Sequence, residues 1–120
     1  GINAEYGEFM AEENQNQQQL KANLLKMKND YDIINDRYIK ACSELKEHQR
    51  VLESLNNLED DRVAYRIIGE VLAKQTVKEV KPNVEQFIQQ IEKMIAQMGE
   101  ILDKKIKEIQ EYQQKYQVKL

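Results

Sequence analysis

The chain contains few residues of the types that form disulfides, metal centres or phosphate-binding loops. It has no tryptophan, one histidine, one cysteine, one proline and four glycines. A single cysteine cannot form an internal disulfide, and one histidine with one cysteine cannot complete a four-ligand zinc site. Because Gly69 and Gly99 are isolated, there is no glycine-rich loop that could hold a phosphate. We therefore expect no ATP, no other cofactor and no metal.

Long apolar runs and a strong excess of one charge are also missing. No run approaches the roughly 20 apolar residues that a membrane helix needs, and no signal-peptide pattern opens the chain. The net charge is −3, and no basic face is evident that could follow a phosphate backbone. We expect a soluble cytoplasmic protein that binds neither a membrane nor nucleic acid.

Two heptad ladders dominate what is present. Each ladder repeats apolar or aromatic residues at alternating spacings of four and three, and only His48 and Lys105 break the rule. The first ladder is Leu20, Leu24, Met27, Tyr31, Ile34, Tyr38, Ala41, Leu45, His48, Leu52 and Leu55. The second is Val84, Ile88, Ile91, Ile95, Met98, Leu102, Lys105, Ile109, Tyr112 and Tyr116. This spacing keeps one stripe of a helix facing a partner, so it predicts a mainly α fold, a long antiparallel two-helix coiled coil.

The segment between the ladders predicts one β-hairpin at about residues 63–75. β-prone residues flank Gly69-Glu70, which indicates a type II′ turn with Ile68 paired to Val71. Both faces of the hairpin are then apolar near the turn, and a lone hairpin leaves both edges without hydrogen-bond partners. We expect this surface to be an oligomer interface. Its residues are Tyr65, Ile67, Ile68, Gly69, Val71 and Leu72.

The helix boundaries follow from local signals. Thr76 and Glu79 form a capping box, which places the second helix at about 77–117, and the first helix is expected at about 20–58. Residues 10–19 are glutamine-rich and without periodicity, so we interpret them as a disordered polar lead-in. Glu8-Phe9 directly before Met10 has the form of a cloning-site remnant, so we build nothing on residues 1–9. The domain is expected to span residues 20–120.

Three short runs carry a resemblance to a known family. They are Tyr-Arg-Ile-Ile-Gly-Glu-Val-Leu from Tyr65 to Leu72, Thr-Val-Lys-Glu-Val-Lys-Pro from Thr76 to Pro82, and the ending Val118-Lys119-Leu120. Together they resemble the β-type subunits of eukaryotic prefoldin. The resemblance implies a hexamer with α-type and other β-type prefoldin subunits. It also implies that the complex holds unfolded clients, such as actin and tubulin, without ATP and delivers them to the cytosolic group II chaperonin.

The end of the coiled coil farthest from the hairpin is the predicted client-binding tip. Helix ends that separate there would expose apolar side chains to an unfolded chain, while ordinary seam packing is the alternative that we favour for Leu24 and Ile109. The residues of the predicted tip are Leu20, Leu24, Ile109, Tyr112, Tyr116, Val118 and Leu120.

Two other classes of function compete with this interpretation. A structural coiled-coil tether that dimerises through its helices would explain the ladders but gives no reason for a hairpin with two apolar faces. An enzyme would need a nucleophile with its base, or a desolvated acid–base pair. The acidic cluster of Asp30, Asp32 and Asp36 has no walls to desolvate it, and we expect no catalytic residues. We expect His48 to act structurally in the helical seam.

Overall fold

The computed structural model describes all residues from 1 to 120. Helix α1 (Ile2–Asn56) is followed by strands β1 (Val63–Ile68) and β2 (Val71–Thr76) and then by helix α2 (Val77–Tyr116). The mainly α fold with one antiparallel hairpin between two long helices is confirmed. The chain divides into two units, of which one comprises Gly1–Asp36 and Gly99–Leu120 and the other Arg37–Met98. Each unit therefore contains a segment of both helices.

The heptad ladders mark the buried stripes of both helices. Every ladder residue is buried or half-buried except Tyr116, and this includes the two polar members, His48 and Lys105. The ladder residues are buried because a spacing that averages 3.5 residues keeps one stripe of the helix against the neighbouring helix.

The unit Arg37–Met98 has its core where the hairpin meets the helices. Buried Leu55, Val77 and Val80 form a cluster, and partly buried side chains from the loop, β1 and α2 pack against it. These partly buried side chains are Leu58, Ala64 and Val84. Because His48 lies near Phe87 while Leu55 clusters with Val77 and Val80, the two helices run antiparallel in this unit.

The hairpin has the register predicted from the sequence. Ile68 pairs with Val71 and Ile67 with Leu72, and the ladder continues to Val63 opposite Thr76. Gly69 has a φ of 61°, a conformation that side chains with a Cβ rarely adopt. Glu70 is not among the residues with positive φ, which excludes a type I′ turn and agrees with the predicted type II′ turn.

The start of α2 is capped in the way that the sequence predicts. The Thr76 hydroxyl donates to Glu79 Oε1 at 3.0 Å, and the Glu79 N–H donates to Thr76 Oγ1 at 3.4 Å. Two further N–H groups of the first turn, those of Val77 and Lys78, donate to the carbonyls of Arg62 and Asp60 at 2.9 and 3.0 Å. These bonds satisfy helix donors that otherwise have no partner, and they fix the loop before β1 to α2.

The unit that comprises Gly1–Asp36 and Gly99–Leu120 also pairs its two helical segments antiparallel. The Tyr112 hydroxyl donates to the carbonyl oxygen of Leu20 at 3.2 Å. Further along α1, Tyr31 lines one groove together with Ile109 of α2. As residue numbers increase along α1, the residues opposite them on α2 have decreasing numbers.

The first helix begins much earlier than expected. We expected residues 10–19 to be a disordered lead-in and the helix to begin at about residue 20, but α1 starts at Ile2 and every residue up to 19 is exposed. The physical reason is that residues 10–19 consist mainly of alanine, glutamate and glutamine, which have high helix propensity and extend an existing helix at little cost. Our interpretation of residues 1–9 as a cloning remnant stays a prediction.

Candidate functional site

The hairpin presents two different faces. On one face, Ala64, Arg66, Ala73 and Gln75 are half-buried. On the opposite face every side chain except that of Thr76 is exposed, and near the turn the side chains of both faces are exposed. The exposed apolar residues of the hairpin include Tyr65, Ile67, Ile68, Val71 and Leu72, the same side chains that the sequence assigns to an interface. The sheet has only two strands, so one edge of each strand has no partner within the chain.

Arg66 and Phe87 connect the covered face of the hairpin to the helices. The Arg66 guanidinium lies 5.7 Å from the centroid of the Phe87 ring, within the range of a cation–π interaction. The His48 ring lies 6.0 Å from the same ring. Our sequence reasoning missed Phe87 because it lies outside the ladder. Its position directly before ladder residue Ile88 was the signal in the sequence that could have indicated a side chain at the edge of the seam.

The predicted tip separates into three groups by exposure. Leu24 and Val118 are buried, with 0% and 2% of their surface exposed. Leu20, Ile109 and Tyr112 are half-buried. Tyr116 and Leu120 are exposed, at 40% and 60%. The structure therefore brings the seven residues into one unit but leaves only two of them open to solvent.

Aromatic contacts order the exposed part of the tip. The rings of Tyr112 and Tyr116 lie 4.8 Å apart between centroids and are tilted by 53°, a favourable geometry for an aromatic pair. The Lys115 ammonium lies 5.2 Å from the centroid of the Tyr116 ring. Tyr116 is thus held against α2 although it is exposed.

The polar side chains that we considered as candidates for a catalytic or metal site do not lie together in one site. Nδ1–H of His48 donates to the carbonyl oxygen of Glu44 at 2.8 Å, which orients the ring within α1. Asp30, Asp32 and Asp36 are exposed, and Cys42 is a free, half-buried thiol. No group of three or more histidine, cysteine, aspartate or glutamate side chains is arranged to hold a metal ion. Neither helix contains a stretch that is long and apolar enough to cross a membrane.

The chain matches a family model described as prefoldin subunit over residues 17–120. The chain belongs to the prefoldin subunit family. Among curated relatives, prefoldin subunit 2 of Homo sapiens is 39% identical over 77 residues, which cover 64% of this chain and 50% of the relative. Prefoldin subunit 2 of Arabidopsis thaliana is 32% identical over 77 residues, which cover 64% of this chain and 52% of the relative. The chain thus spans about half the length of these prefoldin relatives.

A solved structure agrees with this assignment at the level of the fold. The crystal structure of the prefoldin beta subunit from Thermococcus strain KS-1 superposes with a TM-score of 0.77 at 20% sequence identity. The match covers 85% of this chain and 90% of that chain. The prefoldin β-type fold predicted from the hairpin segment is therefore confirmed.

Proposed function

We propose that this chain is a subunit of a hexameric prefoldin co-chaperone. The complex holds unfolded or nascent proteins, of the actin and tubulin type, without ATP and delivers them to the cytosolic group II chaperonin. The proposed partners in the complex are α-type prefoldin subunits and other β-type subunits, and the proposed location is the cytoplasm. The single observation that carries the proposal is a hairpin whose apolar side chains are exposed on both faces, in a chain that belongs to the prefoldin family.

The hairpin supports assembly because the chain itself does not cover its apolar side chains near the turn. Ile68 and Val71 extend beyond the half-buried part of their face, and Ile67 and Leu72 lie on the opposite face. Strands from other subunits would bury both pairs and would also provide hydrogen-bond partners for the two open edges. A tether that dimerises through its helices would leave all four side chains in water.

The tip supports client binding through its exposed apolar surface. Tyr116 and Leu120 are open to solvent, and the half-buried side chains of Leu20, Ile109 and Tyr112 lie in the same unit. One such tip offers little apolar area, so a single contact is weak. Several tips in one complex hold the same client together, because each further contact becomes intramolecular. Capture and release of this kind depend on apolar burial and need no nucleotide.

The proposal is tested with the complex of this chain and an α-type prefoldin subunit. The complex is mixed with denatured actin on dilution from denaturant, and light scattering reports the aggregation that it prevents. We expect the double variant Tyr116→Ser with Leu120→Ser to assemble normally but to prevent aggregation less well than the parent. The matched control is Leu25→Ser with Ile33→Ser, which removes exposed apolar side chains of α1 outside the predicted tip. Equal protection by all three complexes would contradict client binding at the tip.

A further inference from the structure

Helix α2 ends in a turn that is unusual for a sequence without glycine at this position. Gln117 has a φ of 52° and is the only residue other than glycine with a positive φ. The N–H of Val118 donates to the carbonyl oxygen of Gln113 at 3.3 Å, and Gln117 Nε2 donates to the carbonyl oxygen of Gln114 at 2.7 Å. The first of these bonds is the long one of a Schellman motif, in which glycine normally takes the left-handed position.

The turn directs Val118 towards α1. The Val118 side chain is almost completely buried, although the residues on both sides of it are exposed. It lines one groove together with Lys21 of α1. Leu24 lies one helical turn further along the same face of α1 and has no exposed surface. When the left-handed turn is formed, two of the seven predicted tip residues, Leu24 and Val118, are therefore buried.

We propose that residues 117–120 form a latch that regulates access to the tip. In the closed state, which this structure shows, the left-handed turn at Gln117 keeps Val118 buried. In the open state Gln117 leaves the left-handed conformation, the bond from the Val118 N–H to the Gln113 carbonyl oxygen breaks, residues 117–120 extend into solvent, and Val118 and the surface beside Leu24 become accessible. The regulatory half of this inference rests on the proposed client-binding function, whereas the conformational half does not.

The choice of residue at position 117 makes the latch able to open. The left-handed conformation costs a residue with a Cβ a factor of about five to thirty in population, and glycine does not incur this cost. Burial of Val118 and the two hydrogen bonds oppose this cost. A glycine at this position would lock the same turn.

The latch is tested by varying position 117 and measuring amide exchange of Val118 in the full chain. The Val118 N–H donates to Gln113 in the closed state, so its exchange rate reports opening. We expect Gln117→Gly to slow exchange by up to about thirtyfold, reduced by the small contribution of the exposed Gln117 side-chain hydrogen bond that it removes. We expect Gln117→Val to accelerate exchange, because a β-branched residue tolerates positive φ least. Lys119→Gly is the matched control: it adds a glycine to the same segment outside the left-handed position and should leave Val118 exchange nearly unchanged.

The same variants are then compared for protection of denatured actin in complex with an α-type prefoldin subunit. The latch predicts that protection follows exchange, lowest for Gln117→Gly and highest for Gln117→Val. Equal Val118 exchange in all variants overturns the latch altogether. Exchange that changes while protection stays constant overturns its regulatory role. If even the parent complex gives no protection, the proposed function fails, while an ordered exchange series still supports the turn as a conformational switch.

Discussion

Replacing Ile67 and Leu72 with lysine is expected to abolish assembly with other prefoldin subunits while leaving the fold of the single chain intact. The two residues are paired across the hairpin and lie on its outward face, where they are 74% and 63% exposed. Since little of either side chain is buried within the chain, substitution removes few internal contacts. We expect the thermal midpoint measured by circular dichroism to change by no more than a few degrees.

The loss at the interface follows from the same exposures. Full burial of an isoleucine or leucine side chain contributes about 1.5–3 kcal/mol, so covering the exposed part of both contributes roughly 2–4 kcal/mol per subunit. This corresponds to an affinity weakened by about 30- to 1000-fold for each hairpin that enters the complex. Two lysine ammonium groups that must be desolvated in the same interface add a further cost, which we expect to be decisive.

The assay is native mass spectrometry of each variant after mixing with an α-type prefoldin subunit. The matched control is Ile33→Lys with Ile39→Lys, which introduces the same charges at positions of α1 that are 53% and 58% exposed. We expect the control to form the same complex as the parent and the hairpin variant to remain unassembled. If the hairpin variant assembles, or if the control variant loses assembly to the same degree as the hairpin variant, the hairpin is not the interface.

Three further predictions concern the stability of the single chain, measured as the free energy of unfolding in denaturant. Leu24→Ala should lower this free energy by about 2–5 kcal/mol because Leu24 is fully buried. Leu25→Ala, at the exposed neighbouring position, should change it by less than about 1 kcal/mol. Equal effects of the two substitutions would contradict the placement of the seam. Gly69→Ala should lower the free energy of unfolding by about 1–2 kcal/mol through the positive φ alone, since no atom lies within 4 Å of the added Cβ. Thr76→Ala should lower the free energy of unfolding by about 0.5–2 kcal/mol because it removes the cap of α2, whereas Thr76→Ser, which keeps a hydroxyl, should lower it much less. If the two variants are equally stable, the hydroxyl does not cap the helix.

The parts of the fold that depend on short-range patterns could be predicted from the sequence. The heptad spacing identified the buried stripes because a repeat of 3.5 residues stays on one side of a helix over many turns. The register from Ile68 and Val71 onwards follows from a two-residue turn, which leaves no freedom once Gly69 is placed in it. The capping box at Thr76 and Glu79 is equally local.

Other features depend on tertiary context and could not be predicted. The helix before residue 20 has no buried stripe, so periodicity carried no signal there although propensity alone permits a helix. Val118 looks like one more apolar tip residue in the sequence, and its burial depends on a left-handed turn at Gln117 that no glycine announces. Phe87 lies beside the seam, and its role becomes visible only when Arg66 of the hairpin is placed over its ring.

The native mass of this chain, alone and after mixing with an α-type prefoldin subunit, shows whether the chain works as a prefoldin subunit. We expect a discrete hexamer that contains this chain. A chain that remains a stable helical dimer in the presence of the α-type subunit would contradict it and would favour a coiled-coil tether.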